Sequence, residues 1–234
     1  MKKFFALFAI IFLTVYAQAH GTATADSTLL ETAKATLKAH GGEKLSKIKT
    51  LILRGTADVN AGSTFTLPAG FAIVTAGEKY RLDIQASGVF SFLQVSDGQN
   101  TSSSMPGITL PPINRVGLFI LPKIEEAGFV ISELPEKLKK KKGFRVTSPD
   151  GYFTDFVIDE KTSRVKEFES TYEYNGRMLA TSVSIEKYRE IEGVLINEKF
   201  SQRLDLGQVT AYANYNAKDI LVNTEVADDV FTIK

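Results

Sequence analysis

The sequence predicts a mainly β (α+β) protein with one leading helix and an antiparallel sheet of about ten or eleven strands, large enough to curl. After residue 50, apolar and polar residues alternate in short runs, and Gly, Pro, Asn or Asp separates one run from the next. Pro149 is the last proline, and the pairs Asp150-Gly151 and Asn175-Gly176 favour the tight turns of β-hairpins. Residues 26–40 instead repeat their apolar side chains every three or four positions, as an amphipathic helix does.

The composition removes several functional classes. The 28 lysines and arginines nearly balance 27 aspartates and glutamates, so the chain lacks the basic excess of a nucleic-acid-binding protein. It has no cysteine, which excludes disulfides, thiolate metal sites and a cysteine nucleophile, and its 2 histidines leave little room for a catalytic triad. No metalloprotease, serine-hydrolase or phosphate-binding motif is present. We therefore expect no catalytic residue, no metal ligand and no cofactor.

The first residues have the features of a secretory signal peptide. Lys2 and Lys3 precede the apolar run Phe4–Val15, and Ala17-Gln18-Ala19 supplies the small-x-small pattern of a cleavage site. As a helix this run would span only about 18 Å, against about 30 Å for a membrane core, which argues against the alternative of a retained anchor. We expect cleavage after Ala19, a single domain over residues 20–234, and a periplasmic or secreted location.

The order of elements follows from the local patterns. The leading helix is predicted to end near His40, before the glycine pair Gly41-Gly42, and a positive charge on His40 would be favourable at that C-terminus. Its apolar stripe comprises Leu30, Ala33 and Leu37. Strands are predicted over Thr50–Val59, Thr64–Leu67, Phe71–Ala76, Lys79–Gln85, Val89–Ser96, Phe144–Ser148, Tyr152–Ile158, Arg164–Tyr174, Arg177–Tyr188, Val194–Leu204 and Gln208–Asn216.

A proline-rich apolar insert, Met105–Ile124, interrupts the strands. Its prolines, Pro106, Pro111, Pro112 and Pro122, forbid a central strand and break a long helix, so we expect short helices joined by kinks. So much apolar surface is rarely left in water. The insert is therefore either a fixed plug or a lid that moves when a ligand enters, and the sequence leaves both open.

Five groups of residues follow one another in an order that is found in a known family. They are His40-Gly41-Gly42 with Leu45, Ile48 and Leu51–Gly55; Tyr80-Arg81-Leu82 with Asp97-Gly98; Ile158–Thr162; Tyr188–Val194; and Val222-Asn223 with Val226 and Phe231. In this order the chain resembles the outer-membrane lipoprotein-sorting superfamily, the LolA/LolB-like carriers of the bacterial periplasm. One position differs, because Leu195-Ile196-Asn197 stands where a proline commonly follows the glycine-valine pair.

The resemblance implies a strongly curved, unclosed half-barrel whose short lid helices lie on the concave face. It implies a non-enzymatic carrier of lipid or lipoprotein acyl chains, and we expect a monomer. Relatives use the fold for stress sensing, so an envelope sensor or assembly module that docks a protein partner is the alternative. A third hypothesis, a secreted hydrolase, requires a pair of carboxylates that converge in a cleft.

Bulky apolar residues supply candidates for a ligand-binding wall. Val89–Leu93 carries them on both faces, and abundant phenylalanine without tryptophan favours an apolar interior suited to acyl chains. Ordinary core packing is the alternative for each residue, and a solvated outer position is the alternative for Arg81, which is included because it falls in the tyrosine-arginine pair. The predicted ligand-binding residues are Phe71, Ile73, Arg81, Phe90, Phe92, Val116, Leu118, Phe119, Leu121 and Phe156.

One dense run of positive charge is present. Lys139, Lys140, Lys141 and Lys142 are consecutive, and Lys137 and Arg145 flank them. The run is either a solvated turn or a patch that docks on an acidic partner or on anionic lipid, where each lysine contributes about 1 kcal/mol. No aromatic residues alternate with these lysines, so single-stranded nucleic acid is not an expected partner.

Overall fold

The computed structural model describes residues 27–61, 65–105, 108–110, 112–174, 177–205 and 210–233. The leader predicted over residues 1–19, its cleavage site and the Asn175-Gly176 turn lie outside the described residues. Pro106 and Pro111 of the proline-rich insert also lie outside them.

The described part of the chain forms one 12-stranded sheet. The strands are β1 (Thr50–Ala61), β2 (Leu67–Ala76), β3 (Lys79–Ala86), β4 (Phe90–Ser96), β5 (Thr101–Ser103), β6 (Val130–Ser132), β7 (Gly143–Thr147), β8 (Phe153–Ile158), β9 (Val165–Tyr174), β10 (Arg177–Ile191), β11 (Val194–Asp205) and β12 (Thr210–Val222). Their spatial order is β5-β4-β3-β2-β1-β12-β11-β10-β9-β8-β7-β6. The sheet is thus two antiparallel meanders joined where β1 pairs with β12, with Leu51 opposite Val222.

The sheet is open. Among the described strands, β5 and β6 stand at opposite ends of the order and do not pair with each other. The predicted fold class, a mainly β protein with an unclosed antiparallel sheet, is confirmed. The strand number is slightly higher than expected because β5 and β6, of 3 residues each, are too short to show an alternating pattern.

Strand β2 is longer than the sequence predicts. Pro68-Ala69-Gly70 is expected to form a turn, but β2 runs through all three residues. Pro68 is tolerated because it pairs only with Asp58 of β1, whereas pairing of β2 with β3 begins at Gly70, opposite Gln85. A proline lacks the N–H group that a second neighbouring strand would require.

The leading helix α1 (Ser27–Ala39) is confirmed, and a second helix α2 (Glu43–Ser46) follows it. Ala33 in the predicted stripe is completely buried. Gly41, between the two helices, has a φ of +118°, and a β-carbon there would lie 2.9 Å from the carbonyl oxygen of Gly193. Glycine therefore ends α1 and lets it approach the β10–β11 turn closely.

Two hydrophobic cores cover the concave face of the sheet. The first core lies on the half around β1 and includes Leu53, Phe71, Leu82 and Phe92. The second core lies between the other half of the sheet, α1 and the proline-rich insert. Its members include Ala33, Leu121, Phe144, Phe156 and Val183.

The convex face is covered in part by the C-terminal segment. A short 3-10 helix, Asp228–Phe231, places the buried Phe231 against Ile52, Val74 and Val95. These three residues alternate along their strands with residues of the first core, so both faces of this half of the sheet are packed.

Candidate functional site

A cavity of about 140 Å³ lies between the concave face and the proline-rich insert. Its wall is built by side chains from the sheet, from the α2 region and from the insert. They are Leu45, Ile48, Leu51, Leu53, Ile73, Leu82, Leu110, Ile113, Val116, Leu118, Phe119, Phe168, Thr181, Val183, Leu195, Ile196, Asn197, Phe200, Gln202 and Tyr215. The cavity therefore lies where the two hydrophobic cores meet.

The wall of this cavity is mostly apolar and carries few polar groups. Gln202 donates a hydrogen bond to the Thr181 hydroxyl at 3.0 Å, so these two side chains satisfy each other. The side-chain oxygen of Asn197 is buried and accepts no hydrogen bond from any described residue. Tyr215 stacks on Phe200 with ring centroids 4.7 Å apart, and its burial raises the pKa of its hydroxyl. A largely apolar wall with a few polar groups is typical of small-molecule sites.

We name residues 108–110 and 112–124 of the insert the lid segment. It contains two 3-10 helices, Ile113–Arg115 and Gly117–Lys123, as the prolines predict. The completely buried side chain of Gln94 accepts a hydrogen bond from the Leu110 N–H at 2.7 Å and donates one to the Leu110 carbonyl at 2.9 Å. Gln94 thereby substitutes for a neighbouring strand and fixes the lid segment to β4.

Further hydrogen bonds attach the lid segment to both halves of the sheet. Tyr172 of β9 donates its hydroxyl to the Thr109 carbonyl at 3.2 Å. The Asn114 amide donates to the Glu78 carbonyl at 2.9 Å. Since Glu78 and Tyr172 belong to opposite halves of the sheet, the lid segment bridges them.

Gly117 lies where the lid segment packs against β8 and β9. Its N–H donates to the Thr154 hydroxyl at 3.3 Å. Its φ is +61°, and a β-carbon there would lie 2.5 Å from the Phe168 ring. This position therefore requires glycine for both its conformation and its contact.

Nine of the ten predicted ligand-binding residues fall into three groups. Ile73, Val116, Leu118 and Phe119 line the cavity. Phe71, Phe90 and Phe92 belong to or pack against the first core, and Phe71 supports the cavity wall because its ring contacts that of Tyr215 edge-on at 5.0 Å. Leu121 and Phe156 are completely buried in the second core.

Arg81 requires a correction. It lies on the convex face, because Tyr80 and Leu82 on either side of it point into the concave side. Its guanidinium donates to the Val230 carbonyl at 3.4 Å and to Asp83 at 3.3 Å. Arg81 thus holds the C-terminal segment and does not contact the cavity.

All four residues of Lys139–Lys142 are exposed, in the connection between β6 and β7. Lys139 pairs with Glu136 at 3.3 Å, and Lys141 pairs with Glu167. These carboxylates offset part of the positive charge of the run.

Several cavity residues were absent from the sequence prediction. Leu45 and Ile48 were recognised only as part of the family resemblance, although their spacing after Gly42 places both at the cavity. Gln94, which holds the lid segment and does not line the cavity, was missed because a single glutamine forms no motif. The available signal was a polar residue at a concave-face position, two residues after the buried Phe92.

Within the described ranges, no helix is both long enough and apolar enough to cross a bilayer. In the same part of the chain, His, Asp and Glu side chains nowhere gather in groups of three that could hold a metal ion.

No protein-family model matches the sequence, and no curated protein matches it significantly. Solved structures do match the fold. A LolA superfamily protein from Nitrosomonas europaea superimposes with a TM-score of 0.51 at 13% sequence identity, covering 90% of this chain and 99% of the other. The chain has the LolA-like fold. A DUF1329 family protein from Desulfovibrio piger is similar as well, with a TM-score of 0.53, 10% identity, and coverage of 87% of this chain and 97% of the other.

The resemblance predicted from the sequence is thus confirmed at the level of the fold. The sheet is open between β5 and β6, and the lid segment lies on its concave face, as the resemblance implied.

Proposed function

We propose that this LolA-like protein is exported after cleavage following Ala19 and acts as a non-enzymatic periplasmic carrier. In this proposal the carrier binds lipid or lipoprotein acyl chains between the sheet and the lid segment. The observation that carries the proposal is the apolar cavity itself, whose wall is shared between the sheet and residues of the lid segment such as Val116 and Phe119.

The cavity volume sets what can bind without movement. An engineered protein cavity of about 150 Å³ with an aliphatic and aromatic wall holds one benzene molecule. The cavity of about 140 Å³ therefore accepts a few methylene groups, and a long acyl chain requires the lid segment to move outward. Leu118 and Phe119 are only half-buried, so the lid segment presents its ligand-facing residues close to solvent.

The length of the acyl chain decides whether binding can supply the energy that lid movement costs. Burying an acyl chain of about sixteen carbons gains about 12 kcal/mol before any cost is subtracted. Each hydrogen bond that holds the lid segment, such as those of Gln94 and Tyr172, contributes about 1 kcal/mol. Releasing several of them costs roughly what burying five or six methylene groups gains. Long chains therefore bind with a clear net gain, whereas a chain of about eight carbons gains only about 6 kcal/mol, little more than the lid segment costs to open.

The test is binding of fluorescent fatty-acid probes of about eight and about sixteen carbons to the purified full chain, together with native mass spectrometry for co-purified lipid. Leu118→Trp fills the cavity from the lid segment and is expected to weaken binding of the long probe at least about ten-fold. Val89→Trp adds the same side chain at a position that is 70% exposed, and is the matched control. Absence of both bound lipid and probe binding would end the proposal.

A further inference from the structure

A second, polar cavity of about 190 Å³ adjoins the lid segment. It lies between the lid segment, the β3–β5 side of the sheet and the end of β9. Its wall includes Glu78, Tyr80, Asn114, Arg115, Tyr152 and Tyr172, in contrast to the aliphatic wall of the first cavity.

The lid segment lies between the two cavities, and different residues along it line each one. Leu110, Ile113 and Val116 line the apolar cavity. Thr109, Pro112, Asn114 and Arg115 line the polar one. Leu110 lines both, so the two cavities are neighbours on either side of the residue that Gln94 holds in place, and a ligand that occupies both must displace it.

Asn114 lines this polar cavity and has one hydrogen-bonding group without a partner among the described residues. The residue is 7% exposed, and its amide nitrogen donates to Glu78. Its side-chain oxygen is buried and receives no hydrogen bond from the described residues. A buried acceptor without a donor is costly, so a ligand hydroxyl or amide N–H that reaches this oxygen when the lid segment moves would gain a full hydrogen bond.

The other polar residues that line this cavity carry neutral hydroxyls, a neutral amide (Gln99) or the opposite charges of Arg115 and Glu78. Burial raises the pKa of Tyr80, so its hydroxyl stays neutral. Arg115 lies 3.3 Å from Asp150 and 3.8 Å from Glu78, and Lys123 lies 3.6 Å from Glu78. Two positive and two negative side chains leave no net charge to attract an ionic ligand.

We propose that the polar cavity is a head-group subsite that accepts an uncharged, hydroxyl- or amide-bearing group attached to the acyl chain in the apolar cavity. The inference rests on the proposed carrier function. The ligand class is therefore an amphipathic lipid with a neutral, hydrogen-bonding head, such as a glycerol or sugar ester, rather than a free carboxylate or phosphate.

The test compares three ligands that carry the same sixteen-carbon acyl chain: a monoacylglycerol, the methyl ester and the free fatty acid. Binding to the full chain is measured by displacement of a fluorescent fatty-acid probe below the micellar concentration. We expect the monoacylglycerol to bind about ten-fold more tightly than the methyl ester, which lacks hydroxyl donors. Asn114→Ala should reduce that ratio to about one.

Tyr152→Phe is the second variant, since it removes one hydroxyl from this cavity and leaves the Asn114–Glu78 bond of the lid segment intact. It should reduce the ratio by a few-fold. Leu118→Trp should weaken all three ligands together. Equal binding of monoacylglycerol and methyl ester, or tighter binding of the free acid, would overturn the head-group subsite while the carrier function stands. Failure of all three ligands to bind would overturn the carrier function as well.

Discussion

His40 accepts a hydrogen bond through Nε2 from the backbone N–H of Val165, at 3.0 Å and across 125 residues of sequence. Tyr188 completes this contact, because its ring meets the imidazole edge-on at 5.1 Å and its hydroxyl donates to the Val165 carbonyl at 2.8 Å. The Leu195 N–H donates to the His40 carbonyl at 3.3 Å. The end of α1 is thus fixed to three strands, β9, β10 and β11.

The His40 contact predicts a loss of stability in mild acid. Burial, together with the smaller effect of the positive charge of Arg164, lowers the pKa of His40 from 6.5 to about 4. The unfolded chain binds a proton that the folded chain excludes, so stability present above pH 6.5 is lost as the pH falls toward about 4. We expect the free energy of unfolding to fall by about 3 kcal/mol over that interval, measured by urea unfolding. His40→Gln, which stays neutral, should remove most of this dependence, and an unchanged dependence in that variant would contradict the assignment.

Removing the Gln94 side-chain amide should loosen the lid segment. Gln94→Leu leaves the N–H and carbonyl of Leu110 without their partners, which we expect to cost about 2 kcal/mol of unfolding free energy. Amide hydrogen exchange at Leu110 should become faster. Gln202→Leu is the control, since Gln202 lies on the cavity wall but hydrogen-bonds to Thr181 rather than to the lid segment. Equal exchange rates at Leu110 in both variants would show that Gln94 does not hold the lid segment.

Gly117→Ala should displace the lid segment from β9. The new methyl group would lie 2.5 Å from the Phe168 ring, at a φ of +61° that alanine adopts only at a cost. Gly88→Ala has a similar φ of +73° with no atom within 4 Å, so it reports the backbone cost alone, about 1 kcal/mol. Gly117→Ala should cost clearly more in thermal or urea unfolding and should alter binding of the fatty-acid probe. Equal losses of unfolding free energy in the two variants would mean that the Phe168 ring moves aside without cost.

The lysine run gives a separate prediction about docking. Lys140→Glu with Lys142→Glu reverses two exposed charges and should weaken binding to vesicles that contain anionic lipid, by about 1 kcal/mol for each lysine. Uptake of the fatty-acid probe should not change. Lys49→Glu with Lys218→Glu makes the same change of net charge at exposed positions elsewhere. Vesicle binding that falls equally in both double variants would assign the effect to total charge and not to the run.

The sheet could be predicted from the sequence because its long strands alternate regularly, and the tight turns between them carry Gly, Asn or Asp. The site was harder to predict because the two faces of one strand have different roles: one lines the cavity and the other binds the C-terminal segment. Leu82 lines the cavity, whereas its neighbour Arg81 binds the C-terminal segment, and only the period of two separates them. That period was available in the sequence and would have placed Arg81 outside.

Other features depend on contacts between distant parts of the chain. Leu121 and Phe156 share their apolar character with the cavity residues, but they fill the second core because α1 covers them. His40 does follow the last residue of α1, as predicted, yet burial by β9 and Tyr188 opposes the positive charge that a helix C-terminus favours. The local sequence around His40 does not show which distant strand residues will contact the end of α1.

The pairing of β1 with β12 has a consequence for how the chain reaches its native state. Each meander can form by itself from neighbours in sequence, but the seam between them brings Leu51 against Val222 and closes only when the last strand exists. During synthesis or export, the edge of β1 that pairs with β12 stays unpaired until β12 is available. A fragment that stops before Thr210 would keep that side, and the corresponding side of β11, permanently available to other chains, and we expect it to aggregate.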